Sequence, residues 1–205
     1  MPEPASEPLL LETIRIEGGS ALHLDYHNQR FNHARKTLFS INKTMDLADF
    51  ITPPKENSGT LYRCRILYSR KILKVDYIPY TPKIIKKISL INSNISYPFK
   101  FADRSELNHL LASSPGSDEV LIVKEGLLAD TTIANIAFLE KGKWITPKKP
   151  LLEGTTRKRL IDEGFLIPKT IRSDEIDRFD GFALMNAMIG FKILNPICWG
   201  TTEDP

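Results

Sequence analysis

Short β-forming strings separated by turn residues run through most of this chain, and that punctuation limits it to a sheet-rich fold carrying a few short helices. Residues 10–16 and 21–24 read as two strands joined by Glu17-Gly18-Gly19-Ser20, whose glycines can supply the positive φ of a tight hairpin turn. Residues 59–68 and 71–78, rich in Ile, Leu, Val and Tyr, read as a second hairpin after a loop at residues 52–59. Between the hairpins, Tyr26, Phe31, Ala34, Leu38 and Phe39 fall near helical spacing over residues 25–40, with Asp25 as the expected cap and Arg30 on the helix. The string Pro79-Tyr80-Thr81-Pro82 reads as a domain junction, so residues 1–80 are expected to form a small α/β domain.

The remainder, residues 81–205, is expected to be a second domain. It opens with a long strand over residues 83–94, carrying Ile84, Ile85, Ile88, Leu90 and Ile91, and continues with a helix at 104–112. Short strands at 119–123, 134–139, 166–170 and 182–186 alternate with turns and with a helix at 155–163. The fold class is therefore α+β. With 41% hydrophobic and 26% charged residues among 205, and no internal repeat, the composition is that of an ordered soluble globule rather than a solenoid or a disordered chain.

Several functional classes lose their usual support. The net charge of +3 is spread over scattered basic clusters without interleaved aromatics, so nucleic-acid binding is not expected. No window approaches eighteen apolar residues and the opening Met1-Pro2-Glu3-Pro4-Ala5-Ser6-Glu7 has no leader character, so no membrane role and a cytoplasmic location are expected. Cys64 and Cys198 lie far apart in apolar strings and read as buried thiols. His23, His27, His33 and His109 are dispersed without ligand spacing, so no metal is expected. Neither a Gly-x-Ser-x-Gly elbow nor a Gly-rich nucleotide loop is present.

Three segments carry chemistry. Lys100 follows Pro98 and stands between Phe99 and Phe101, with Tyr97 nearby; desolvation in such a setting lowers an ammonium pKa toward a nucleophilic amine. Thirty residues later, Asp130 precedes two threonines at the edge of a strand or turn, where a carboxylate either closes an Asx-type turn or faces a cationic ring nitrogen. The string Gly154-Thr155-Thr156-Arg157 then opens an amphipathic helix; the threonines can cap it, and its exposed amides can seat a dianionic phosphate. An amine, a carboxylate and an amide cradle are what a pyridoxal phosphate site requires.

In order and spacing these segments resemble the class IV aminotransferase family, the fold type IV pyridoxal phosphate enzymes, and within it the 4-amino-4-deoxychorismate lyase branch. The resemblance runs from about Leu10 to about Pro196. It rests on a lysine (Lys100), an acid followed five residues later by Asn (Asp130 and Asn135) and a Gly-x-Thr-Arg turn (Gly154 to Arg157). It implies that Lys100 is the Schiff-base lysine and general base, and that Asp130, where the family usually has Glu, faces the pyridine nitrogen. Thr155 and Thr156 would hold the phosphate, Arg30 would pair with it, and Asn186 and Ala187, in Leu184-Met185-Asn186-Ala187, would complete the phosphate cup.

By the same resemblance, the second domain is an irregular barrel and the protein a homodimer acting on a small amino substrate. The reaction implied is release of pyruvate and 4-aminobenzoate in folate synthesis; transamination of a branched-chain or D-amino acid, and a noncatalytic binding role, stay open beside it. Relatives carry an extra strand with Asp-Arg and Gly-Asp-Gly strings ahead of the segment matching Leu11-Glu12-Thr13-Ile14-Arg15. Only ten residues precede that segment here, which implies a more open site.

Overall fold

A computed structural model describes residues 7–54, 59–194 and 197–201. The leader reading of the first residues therefore falls, up to residue 6, outside the described residues, as do positions 55–58 of the expected loop and Pro196 at the end of the resemblance. The chain divides into two compact units, Met1–Thr81 with Phe99–Asp103, and Pro82–Pro98 with Arg104–Pro205.

In the first unit, β1 (Leu10–Glu17), β2 (Ser20–Ala21), α1 (Leu24–Phe39), β3 (Tyr62–Tyr68) and β4 (Ile72–Pro79) build an antiparallel sheet of order β2-β1-β3-β4. Side chains alternate along a strand, so Leu10, Ile14 and Ile16 of β1 and Cys64, Ile66 and Tyr68 of β3 share one buried face, onto which α1 packs Phe31, Ala34 and Phe39. The rings of Phe31 and Tyr68 meet edge to face with centroids 4.6 Å apart. The helix begins one residue earlier than the periodicity implies. Its cap is His23 in the left-handed region at φ 53°, and Asp25, expected as the cap, stands instead in the first turn, where its charge complements the helix dipole.

The segment Phe99–Asp103 belongs to this unit rather than to the second domain in which the sequence reading set it. The Leu11 N–H donates to the Lys100 carbonyl and the Ala102 N–H to the Leu9 carbonyl, both at 2.8 Å, while Phe99 and Phe101 pack against the core. The Phe101 N–H also donates to the Phe99 carbonyl at 2.8 Å, a three-residue γ-turn with Lys100 at its centre.

The second unit contains β5 (Lys87–Asn92), α2 (Ser105–Ala112), β6 (Glu119–Lys124), β7 (Leu127–Thr131), β8 (Asn135–Glu140), β9 (Lys143–Pro147), α3 (Thr155–Asp162), β10 (Leu166–Lys169), β11 (Gly181–Asn186), β12 (Gly190–Leu194) and β13 (Cys198–Thr201). They form two sheets, β10-β9-β8-β11-β12 and β13-β5-β6-β7. Ile136 and Phe138 of β8 and Phe182 and Leu184 of β11 join Ile88, Leu121, Val123 and Leu128 of the other sheet in one core, giving the barrel-like arrangement. The alternate residues Ala137, Ala183 and Met185 pack on the opposite side with Leu160 of α3 and Leu166 of β10. Both faces of β8 and β11 are covered, which is why these strings read as continuous apolar runs.

Two expectations are corrected in this unit. The strand expected over residues 83–94 pairs only over Lys87–Asn92, because Asp118 Oδ2 accepts the amides of Lys86 and Lys87 and ends the ladder there, while Ile84 is 72% exposed. Cys198 is exposed, not buried, since it opens β13 at the sheet edge beside β5; only Cys64 is a buried thiol, and burial pushes it up to about 11. No helix among the described residues is long and apolar enough to cross a membrane.

Candidate active site

In the first unit, β1 places a carboxylate on an otherwise apolar face. Glu12 is fully buried, and α1 brings two partners to it one helical turn apart. Arg30 grips it with a fork, Nε to Oε1 at 2.9 Å and Nη2 to Oε2 at 2.7 Å, and His27 Nδ1 lies 2.6 Å from Oε2. Burial pushes the Glu12 carboxyl up, but the Arg30 charge and the bonds from His27 and Arg30 outweigh it and hold the pKa at about 2. His27 moves down, chiefly through burial, with the charges of Arg30 and Lys100 adding to the fall and Glu12 opposing it. A neutral His27 beside an ionised Glu12 donates from Nδ1. Lys100, half-buried on its γ-turn, thus stands within electrostatic reach of this cluster.

The second unit gathers the other residues. Asp130 lies in β7 and is 3% exposed. Its Oδ1 accepts from Asn135 Nδ2 at 2.8 Å and its Oδ2 from the Leu152 N–H at 3.0 Å, so the acid is bonded directly to the loop that leads into α3. After Asp130 the chain turns tightly: Thr131 Oγ1 accepts the Ala134 N–H at 3.1 Å, and buried Glu119 Oε1 accepts both the N–H and the hydroxyl of Thr132, at 3.1 and 2.6 Å. Asn186 closes the turn between β11 and β12 by accepting the amides of Met188 and Ile189 at 2.9 and 3.0 Å. It reaches the same Asp130 turn through Nδ2 to the Ile133 carbonyl at 3.1 Å, which brings Ala187 alongside in sequence.

At α3 the N-cap is Gly154. Thr155 and Thr156 are therefore the first helical residues and not the cap the sequence reading allowed, and no side chain caps this end. By helix geometry the amides of Thr155, Thr156 and Arg157 have no acceptor within the helix. Arg157 is 3% exposed; its Nη2 donates to the Pro147 carbonyl and its Nη1 to Glu153, both at 2.7 Å. Of the residues singled out by sequence, Arg30 and Lys100 are thus assembled in the first unit, and Asp130, Thr155, Thr156, Asn186 and Ala187 on linked segments of the second.

Burial pushes the Asp130 carboxyl up to about 6, against the bonds from Asn135 and Leu152 and the Arg157 charge. A folded pKa above the ordinary value of 3.8 means that the unfolded chain releases this proton first. The contribution is fully present below pH 3.8 and is lost as pH rises through about 6, on the order of 3 kcal/mol. Denaturant unfolding of Asp130→Asn and of the ligand-free parent at pH 4 and pH 7 checks this: the variant should show the shallower decline over that interval. Parallel declines would refute it.

Glu12, His27 and Glu119 were not among the residues the sequence reading selected. A readable signal existed for Glu12, because the alternation Leu10, Glu12, Ile14, Ile16 sets a carboxylate at an inward position. His27 was visible only as one of four dispersed histidines, and the bond from Thr132 to Glu119 joins β6 to the turn after β7 with no local signature.

A family model described as Amino-transferase class IV matches residues 9–193. An "uncharacterized protein" of Haemophilus influenzae is 35% identical over 184 residues, covering 88% of this chain and 98% of the relative. Among solved structures, a "putative 4-amino-4-deoxychorismate lyase" from Haemophilus somnus superposes with a TM-score of 0.82 at 33% identity, covering 89% of this chain and 97% of that one. An aminotransferase from Brucella abortus, solved with its cofactor PLP, shares the fold at a TM-score of 0.72 and 19% identity, covering 94% and 81% of the two chains. With a matching profile over nearly its whole length and a full-length relative above 30% identity, this chain belongs to the amino-transferase class IV family.

Proposed function

We propose that this chain is a 4-amino-4-deoxychorismate lyase that uses pyridoxal 5'-phosphate to release pyruvate and 4-aminobenzoate. Pyridoxal phosphate is the cofactor of the family. The residues present fit it. Asp130 is a buried acid whose two oxygens are each oriented by a hydrogen bond, suited to a ring nitrogen, and the α3 N-terminus presents amides suited to a dianion. The single observation that carries the cofactor reading is this acid, bonded to the loop that opens that helix.

When bound, the cofactor supplies an electron sink for the bond-breaking at the substrate α-carbon. The chain's own residues do the rest. Lys100 Nζ would be the amine that holds the cofactor and the general base and acid that takes and returns the substrate's proton. Asp130 would hold a proton on the ring nitrogen. The amides of Thr155 and Thr156, with the Thr156 hydroxyl and the Asn186-Ala187 turn, would hold the phosphate; Arg30, which the family resemblance gives as its pairing residue, has its guanidinium fixed by Glu12.

The lyase branch is supported by the likeness to the Haemophilus somnus protein described as a putative lyase and to a "putative aminodeoxychorismate lyase" of Schizosaccharomyces pombe, 34% identical over 100 residues, 45% of this chain and 43% of that one. Incubating the cofactor-loaded protein with 4-amino-4-deoxychorismate should give pyruvate and 4-aminobenzoate in equal amounts. A keto acid formed from an amino-acid donor, without 4-aminobenzoate, would reassign the chain to transamination. No turnover of either kind, with cofactor bound, would leave a binding role.

A further inference from the structure

Asn135 opens β8 on the face that carries Ala137 toward α3, and it is 6% exposed. Its Nδ2 donates twice, to Asp130 Oδ1 and to the Leu152 carbonyl, both at 2.8 Å, while the Leu152 N–H returns to Asp130 Oδ2 at 3.0 Å. The amide, the acid and the main chain of Leu152 therefore close a ring of three hydrogen bonds. On its other side, a Cβ built on Gly154 would lie 1.9 Å from Asn135 Oδ1. Gly154 has φ −71° and ψ 143°, a conformation open to any residue, so the requirement for glycine comes from the Asn135 oxygen and not from the backbone. Asn135 thus touches the acid with its nitrogen and sets the path of the helix cap with its oxygen.

We propose that Asn135 is a positioning residue that locks the Asp130 carboxyl and the loop opening α3 into one piece, so that recognition of a ligand's ring nitrogen and of its phosphate is coupled through this one amide. The proposal rests on the cofactor reading above and adds to it the link that Asn135 makes between the acid and the helix cap. If either end moves, the other loses its register. A ligand that engages both ends gains from the lock twice, and a ligand lacking the phosphate gains from it once.

The test is a double-mutant cycle on Asn135→Ala and Gly154→Ala, read in the ligand-free protein by thermal unfolding and by the dissociation constants for pyridoxal phosphate and for pyridoxal. Asn135→Ala should weaken pyridoxal phosphate about 10- to 100-fold, the scale of losing hydrogen bonds to a charged group. Pyridoxal should weaken less, so that the preference for the phosphorylated ligand falls. Gly154→Ala alone should reproduce that fall, because its methyl displaces the amide. Added to Asn135→Ala it should do almost nothing further, since the atom it strikes is gone.

Losses that simply add in the double variant, or an unchanged preference between the two ligands, would overturn the coupling. Should the parent fail to bind pyridoxal phosphate at all, the cofactor reading falls. The unfolding cycle still decides the lock in that case: Gly154→Ala must lower the midpoint of the parent and spare that of Asn135→Ala.

Discussion

Lys100→Ala is expected to lower turnover by about 10³- to 10⁵-fold while leaving the protein folded, because on the proposed function the substitution removes both the amine that takes the cofactor and the base that moves the proton. The segment itself is held by main-chain atoms: the Lys100 carbonyl accepts from Leu11, the Ala102 amide donates to Leu9, and Phe99 and Phe101 fill the core. An alanine keeps all of these. The measurement is single-turnover product formation beside an unfolding curve, with borohydride reduction and peptide mapping of the parent to locate the cofactor's carbon on Lys100. Turnover of the variant within tenfold of the parent, or label on another lysine, would remove Lys100 from the chemistry.

The second large effect concerns stability. Glu12 sits at 0% exposure between His27 and a two-pronged Arg30 that is itself only 15% exposed. Isosteric Glu12→Gln strips the negative charge and leaves a guanidinium facing a neutral amide, and breaking a buried pair in this way costs about 3–5 kcal/mol. The acid limb of the stability profile reports the same group. A folded pKa of about 2, below the ordinary 4.5, means that its contribution is present above pH 4.5 and fades as pH falls toward 2, so Glu12→Gln should be weaker near neutrality yet lose less stability than the parent as the pH falls over that range. Urea titrations of parent and variant at pH 7 and pH 3 provide the check. A variant within 1 kcal/mol of the parent at pH 7, where roughly 3 or more is expected, would show the cluster to be a spectator.

Much of the fold was legible because local patterns agreed with it. Both hairpins of the first unit, α1, α2 and α3, and the strands β6, β8, β10 and β11 lie within a few residues of where alternation and helical spacing set them. Of the four strands that escaped notice, β7, β9, β12 and β13, three have identifiable reasons. β7 carries Asp130 and Thr131 in its last two positions, and β9 ends in Thr146-Pro147, so neither shows a clean apolar alternation. β13 pairs in parallel with β5 across more than a hundred residues of chain, a partnership no local string announces. The site followed the same division. The lysine, the acid and the phosphate-type turn were readable as chemistry along the chain, whereas the fixing of Arg30 by Glu12, and of Asp130 by Asn135 and Leu152, needed the strand faces and the turn between β9 and α3.

The strip around Lys100 is delivered to the first unit only after the chain has already committed seventeen residues, 82–98, to the second. Dissection at the Thr81–Pro82 boundary would consequently yield not a miniature domain but a sheet missing two phenylalanines from its floor and the Lys100 strip from its border. During synthesis, too, the amine can be seated only once the ribosome has passed residue 103, so its appearance is a late sign that the N-terminal half has closed. Anyone grafting or circularly permuting this scaffold must therefore carry the two stretches together.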